Sequence, residues 1–559
     1  MKNVKLWMKI AALLIAAFIS GVYYYIALPA INIHSPGFWK FIIFVMIIVT
    51  IICYLMTFKK GSESYKEFKG KTYKRTKMEF KSEKAKLIFK IAAGITIALV
   101  VVFIVGSILS SPIVNASKYQ KLMTVEKRTF SEDIKEVSYD QIPILDRDSA
   151  QTIGNRVMGS MVDMVSQYEV SDMYSQINYN GKPVRVSPLQ YGSIIKWIAN
   201  NKNGIPAYIK IDMTTQNAEC VRLNEAIKYS KSDHFGRNIY RHLRMAYPTY
   251  IFDDINFEID ENGTPYWVCP VKKYNIGLFG GQTLGRVVLC NAVTGEMTDY
   301  DIENVPSWVD KVYSADLLIQ LYDYNGTLKH GFLNSVMSQK DCLQTTDGYN
   351  YIAMEDDVWV YTGVTSVGQD ASNVGFVLMN QRTMETRYYE VSGAEENSAM
   401  SSAKGRVQNL GYDATFPLLI NISGQPTYFM ALKDDAGLVK QYAMLNIEKY
   451  QTVAIGDSVL QCESNYKQLL KDNGIIEEPV PEEKETKNIT GVIEDIVQVV
   501  VDGNSHFYVT LVNSKEVYDV AVKDVYEIVK YKQGNNVSID YTDETGLKNV
   551  KKIKILSND

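Results

Sequence analysis

Few residues in this 559-residue chain have the types and spacing that chemistry needs. The Ser-x-x-Lys pattern occurs at Ser193–Lys196, Ser401–Lys404 and Ser464–Lys467. In serine acyl-transfer enzymes a neighbouring Lys takes the Ser proton, and other elements build the oxyanion side. Lys329-His330-Gly331 resembles one such element only loosely, and no Ser-Asp-Asn partner accompanies it. The acyl-transfer reading, with Ser193 as nucleophile and Lys196 as base, therefore stands as the rival. The five histidines are His34, His234, His242, His330 and His506. His234 and His242 lie eight apart on one predicted helix, without a third ligand at metal spacing. Cys53, Cys220, Cys269, Cys290, Cys342 and Cys462 are scattered with no CxxC, which fits neither a disulfide framework nor a zinc site. Zincin, nucleophile-elbow and P-loop motifs are missing. The sequence assigns no catalytic, cofactor-binding or metal-ligating residue, and no cofactor is expected.

The elements that would position these residues divide sharply by charge. Residues 1–116 carry 16 Lys and Arg against 4 Asp and Glu, whereas 117–559 carry 43 against 59. The basic part contains three apolar stretches, Ile10–Leu28, Phe41–Phe58 and Ile91–Leu109. Each approaches the ~20 residues a helix needs to cross the hydrocarbon core, where every backbone polar group must be satisfied internally. The first run is longer than a signal-peptide core and two more follow, so three transmembrane α-helices are expected over 1–116. The loop 59–86 holds eleven Lys and Arg. Basic loops stay cytoplasmic, which places the N-terminus inside and residues from about 110 extracytoplasmic. The loop is read as a topology determinant ahead of an anionic-lipid or nucleic-acid site. A cell membrane localisation follows, and Lys-, Ile-, Asn- and Tyr-rich usage fits an AT-rich bacterial genome.

Beyond the spans, 117–188 reads as a helical membrane-proximal segment. Asp148 is the expected cap of a helix over 149–168, whose Met158, Met161 and Met164 are read as core. Residues 189–474 read as tandem α+β modules spaced about 60–90 residues apart. Four Gly turns, at Gly204, Gly263, Gly348 and Gly424, each open an aromatic-led strand. A second strand ending in Asn follows each, at Asn224, Asn291, Asn380 and Asn446. Helices are expected over 189–200, 234–247, 315–324 and from Ser401 or Ser402 to about 410. The run Val287-Val288-Leu289-Cys290-Asn291-Ala292-Val293-Thr294-Gly295-Glu296 resembles the last hairpin of PepSY-type domains. That resemblance implies a helix packed on a small antiparallel sheet, in a non-catalytic extracytoplasmic module that regulates envelope enzymes.

The acidic, Pro-punctuated stretch 475–487 is read as a linker. It isolates 488–559, with expected strands over 490–501, 507–511, 517–522, 536–541 and 550–555 and a helix over 525–531. This order is similar to an OB-fold, a small all-β barrel. Nucleic-acid binding needs a basic groove. Here Lys548, Lys551, Lys552 and Lys554 are opposed by Asp519, Asp540, Asp543 and Glu544, and the expected topology puts DNA on the wrong side. The resulting expectation is a multi-pass membrane protein whose extracytoplasmic modules bind or regulate a cell-envelope protein or glycan. The alternatives are the acyl-transfer enzyme and a structural component of a secretion or DNA-transfer apparatus.

Overall fold

The computed structural model describes the chain except residues 1, 69–70, 136–141, 368–371, 477–485, 502–503, 513, 524, 545–546 and 557–559. Only the backbone is described at 2–6, 8–9, 60, 62–68, 71–78, 500–501, 504, 543–544 and 547. The chain divides into two units, Met1–Tyr466 and Lys467–Asp559.

In the first unit, α1 (Lys2–Ala27), α2 (Pro36–Thr57) and α3 (Glu83–Leu109) are long and apolar enough to cross a membrane. Ser35 and Ser82 cap α2 and α3 by accepting from the Phe38 and Ala85 amides. Between α2 and α3 the basic segment is not an open loop. It forms an antiparallel hairpin of β1 (Phe58–Phe68) and β2 (Lys71–Phe80). α4 (Pro112–Gln120), β3 (Glu126–Arg128) and α5 (Phe130–Asp133) lead away from α3.

Four modules follow among the described residues, each a helix and then a four-stranded antiparallel meander with short additions. The first has α6 (Arg147–Ser160), β4 (Tyr168–Val170), β5 (Ser175–Tyr179), β6 (Lys182–Tyr191), α7 (Ile194–Asn200), β7 (Ile205–Asp212) and β8 (Ala218–Ile227). The second has α8 (Ile239–Ala246), β9 (Asn256–Ile259), β10 (Pro265–Ile276), β11 (Gly280–Asn291) and β12 (Met297–Asp301). The third has α9 (Ala315–Thr327), β13 (Leu343–Thr345), β14 (Asn350–Met354), β15 (Asp357–Ser366), β16 (Ser372–Asn373), β17 (Gly375–Asn380) and β18 (Thr386–Tyr389), with β3 pairing parallel to β18. The fourth opens with β19 (Gly393–Ala394) and has α10 (Glu396–Arg406), β20 (Asp413–Ala414), β21 (Leu418–Ile422), β22 (Gln425–Lys433), β23 (Val439–Asn446) and β24 (Val453–Gly456). α11 (Val459–Asp472) comes next.

One turn recurs between the third and fourth strands. Asn291 Oδ1 accepts from the Val293 and Thr294 amides at 2.9 and 3.0 Å, and Thr294 Oγ1 accepts from the Glu296 amide at 3.2 Å. Asp212 with Thr215 and Asn380 with Thr383 repeat the same bonds. The residue after Thr has positive φ each time, at Gln216, Gly295 and Met384. The fourth copy, at Asn446, is one residue longer, and there Oδ1 accepts from Lys449.

The strands explain why the modules do not stand apart. Side chains alternate across a strand, so one strand can serve two cores. Trp267, Cys269, Val288 and Cys290 of the second module join Val186, Ile209 and α8 residues Ile239 and Leu243 in one core. The intervening Val268, Val287 and Leu289 join α9 residues Leu318 and Leu321 with Val360, Val377 and Met379 in another. In the third module Trp359, Tyr361, Phe376 and Leu378 turn the other way, towards Tyr428, Met430 and Ala443 of the fourth.

Several sequence expectations need correction. The boundary at 188 falls inside β6, and the 117–188 segment is not simply helical because β3, β4 and β5 belong to module sheets. Asp146, not Asp148, caps α6, accepting from the Ser149 amide at 2.9 Å, and α6 ends at Ser160. The helix expected over 189–200 starts only at Ile194, because β6 runs through Tyr191. That expected over 234–247 is a short 3-10 turn followed by α8. α10 starts five residues before Ser401, behind Glu395, whose carboxylate accepts from Ser398. All four Gly turns lead into strands as expected, but at unequal places in the meander: Gly204 before its third strand, Gly348 before its first, and Gly263 and Gly424 before their second. Asn224 lies within β8, and the true first-module turn is at Asp212. The linker expectation lies mostly outside the described residues.

The second unit contains a closed barrel in the order β25 (Lys487–Val501), β26 (Asn504–Leu511), β27 (Val517–Ala521), β29 (Leu547–Ile555), β28 (Asn536–Glu544), with β28 pairing back to β25. Ile493, Val509, Tyr518, Val537 and Ile539 fill it. The expected helix is a 3-10 turn at Tyr526–Lys530.

Because the turn depends on a side-chain acceptor that Asp supplies equally in the first module, Asn291→Asp is expected to be nearly neutral. Asn291→Ala strands two amides and is expected to cost about 1–2 kcal/mol. Thermal unfolding of the full chain in detergent reads both.

Candidate functional site

Module sheets two and three are apolar on both faces, but the first module is not. On β5 and β6, Ile177, Val184 and Val186 enter the shared core. Alternation turns their neighbours Gln176 and Arg185, which are directly paired across the two strands, to the opposite side. They form part of the floor of a cavity of about 530 Å³, with Tyr174 and Asn256. Lys231, Lys311, Tyr351 and Phe416 form its walls. Arg147, Asp148, Asp172, Asp254 and Tyr349 stand exposed around it. All four modules contribute.

The floor is poorly satisfied. Gln176 and Arg185 are each 4% exposed. Arg185 Nη2 donates to Gln176 Oε1 at 3.3 Å, yet Arg185 Nε and Gln176 Nε2 have no partner. Burial pushes the Arg185 guanidinium and the Lys231 and Lys311 ammonium groups below their ordinary values. Among the described residues none of these three cations lies in a salt bridge.

Asp146, Glu258 and Asp310, carboxylates beside the floor, are each engaged by other donors. Lys433 Nζ donates to Asp146 at 2.5 Å, and Asp146 is held below the ordinary range by its hydrogen bonds against the opposing effect of burial. Glu258, fully buried on β9, accepts from the Asp310 and Lys311 amides, both at 2.9 Å. Asp310 in turn accepts from the Asn178 amide at 2.6 Å. Burial pushes Glu258 up to about 7, and burial with the Glu258 charge raises Asp310. These bonds tie the second module to the segment preceding α9. They leave the cavity floor with donors in excess of acceptors, an arrangement that can receive an anionic or acceptor group and has no nucleophile poised beside a base.

The residues considered for chemistry in the sequence are dispersed. Ser193 is exposed and caps α7, its Oγ accepting from the Lys196 amide at 3.3 Å. Ser401 Oγ donates to the Asn397 carbonyl, while Lys404 pairs with Asp413 at 2.7 Å. Ser464 is exposed on α11. His330 of the Lys329-His330-Gly331 element pairs with Asp341 at 3.2 Å. His234 packs its ring on Trp197, whereas His242, on α8, bonds the Gly295 carbonyl at 2.8 Å. His34 bonds the Leu278 carbonyl and His506 pairs with Asp519. No metal-ligating cluster occurs among the described residues, and the cysteines there are free. The cavity residues went unnoticed in the sequence because they come from nine separate stretches between 146 and 416. The one local signal was an Arg placed among the alternating apolar residues of β6.

No known protein family and no curated protein matches this chain. Among solved structures, a point mutant of levansucrase from B. megaterium aligns over 76% of this chain and 95% of its own, at 9% identity. Its TM-score is 0.17, too low to bear on fold or function.

Two outcomes are expected. Glu258 binds its proton more tightly folded than unfolded between pH 4.5 and about 7. Its contribution is thus complete below that window and lost as pH rises through it. The melting temperature should fall across the window, and Glu258→Gln should flatten the slope. Arg185→Met, removing a buried unpaired charge, should stabilise the unliganded chain by about 1–3 kcal/mol in the same assay.

Proposed function

We propose that this chain is a membrane-anchored binding or regulatory scaffold whose modules act on a cell-envelope protein or glycan from the extracytoplasmic side. The observation that carries the reading is the donor-rich cavity where four modules converge, on a body fixed to the ends of three membrane-length helices. Arg244 donates to the Leu28 carbonyl at 2.9 Å and the Ile31 amide to the Pro248 carbonyl at 2.8 Å. Ser110 Oγ accepts from the Leu278 and Phe279 amides at 2.9 and 3.2 Å. The α1–α2 turn and the end of α3 thus both hold the second module, while the basic hairpin joins the other ends of α2 and α3. The positive-inside rule then assigns the hairpin to the cytoplasm and the modules to the outside.

The helix-plus-meander unit and its Asn/Asp-x-x-Thr turn support the PepSY-like reading, with the non-catalytic regulatory role it implies. The barrel order, with β27 parallel to β29, supports the OB-like reading of the second unit. The dispersal of the Ser-x-x-Lys residues favours binding over acyl transfer.

Sidedness is the test. Asp435→Cys, on the exposed β22–β23 turn, should react with a membrane-impermeant maleimide in intact cells. Ser64→Cys, in the hairpin, should react only after lysis. The reverse pattern would place the modules in the cytoplasm and remove the envelope reading.

A further inference from the structure

The cavity floor offers more than a general affinity for acceptors. Gln176 and Arg185 are a cross-strand pair, so their unpartnered Nε2 and Nε come from adjacent positions on one rigid sheet. A planar guanidinium with a neighbouring amide suits two oxygens of one planar group, the geometry in which Arg binds carboxylate. Lys311 and Lys231 add positive charge from the walls. The rim is acidic on balance, because Asp148, Asp172 and Asp254 are exposed there beside the single cation Arg147. A phosphate dianion would have to pass those acids and offers no positive group to meet them. A ligand that is negative at its inner end and positive further out meets complementary charge at both depths. Tyr351 and Phe416 supply apolar and aromatic walls between.

The geometry points to a carboxylate-binding site in which Arg185 and Gln176 seat the terminal carboxylate of a peptide, with a basic side chain of that peptide at the Asp148, Asp172 and Asp254 rim. This rests on the binding reading above, but not on which side of the membrane the modules occupy. A failed labelling experiment and a failed binding experiment are therefore separate results.

The test is calorimetric titration of the full chain in lipid nanodiscs with acetyl-Lys-Ala-Ala, its C-terminal amide, acetate and inorganic phosphate. The free acid should bind at least tenfold more tightly than the amide. Arg185→Gln should lose at least tenfold for the acid and close most of the gap between acid and amide. Lys231→Gln, on the wall, provides a second variant should Arg185→Gln fail to fold, and should weaken acid binding severalfold. Acetate binding as tightly as the tripeptide would keep the carboxylate seat and overturn the peptide as its source. Equal binding of acid and amide, tighter binding of phosphate than of the acid, or no binding by any probe would overturn the site.

Discussion

Two-faced burial of the second and third module sheets is the constraint on which the rest of the first unit depends. A four-stranded meander with one helix has too little apolar surface to cover both of its faces alone. Here the strand period of two delivers Trp267 and Cys269 to one neighbour and Val268 to the other, and likewise Trp359 and Tyr361 against Val360. Each central sheet is thereby a shared wall, and removing one module would bare the face of the next. This also accounts for strands such as β15 and β17 reading as unbroken apolar runs although they are antiparallel. Alternation of polar and apolar residues marks a sheet with one wet face, and these have none.

That stack is also how the membrane-length helices come to matter for the modules. The β10–β11 tip reaches the end of α3, with the Phe279 ring at 5.3 Å from Phe103 and 6.2 Å from Trp39. Close approach is possible because residue 280 is Gly, since a Cβ there would fall 2.0 Å from the Ser110 carbonyl oxygen. The Tyr119 hydroxyl donates to that same carbonyl at 2.6 Å. Because the second module shares cores with both the first and the third, a tether at its tip constrains the whole stack.

Much of this was legible in the residues, in proportion to how local the physics is. The apolar spans were evident because a bilayer-length helix is written in one uninterrupted stretch. Their helices run further than the apolar cores, since α3 begins at Glu83 behind the Ser82 cap. The repeat was visible but out of register in the first and third modules. The Thr-Gly of the 287–296 run is not repeated, because the left-handed position that follows Thr is filled by Gln216 and Met384 in two other copies. The side-chain acceptor, Asp212, Asn291 or Asn380, was the more faithful mark, because it holds two amides whatever residue takes the positive φ. The charge that marks the basic segment says nothing of its pairing into a hairpin. The barrel strands are readable from short alternating segments, and their number and order already point to a barrel.

The cavity illustrates the opposite limit. Nothing local in β5 or β6 says that Gln176 and Arg185 will face a space walled by residues from 231, 311, 351 and 416. Yet their burial with Arg185 Nε and Gln176 Nε2 unpartnered is hard to reconcile with stability as the sole reason for keeping them. An apolar pair on those strands would extend the two-faced pattern of the second and third sheets to the first, and would close the stack with a third continuous core. The first module instead turns a polar face inward, at a cavity to which all four modules contribute. Three buried donors without a partner, Tyr174 Oη, Gln176 Nε2 and Arg185 Nε, belong to residues that line it. The departure from its own packing rule is what marks the place where the molecule is built to receive something.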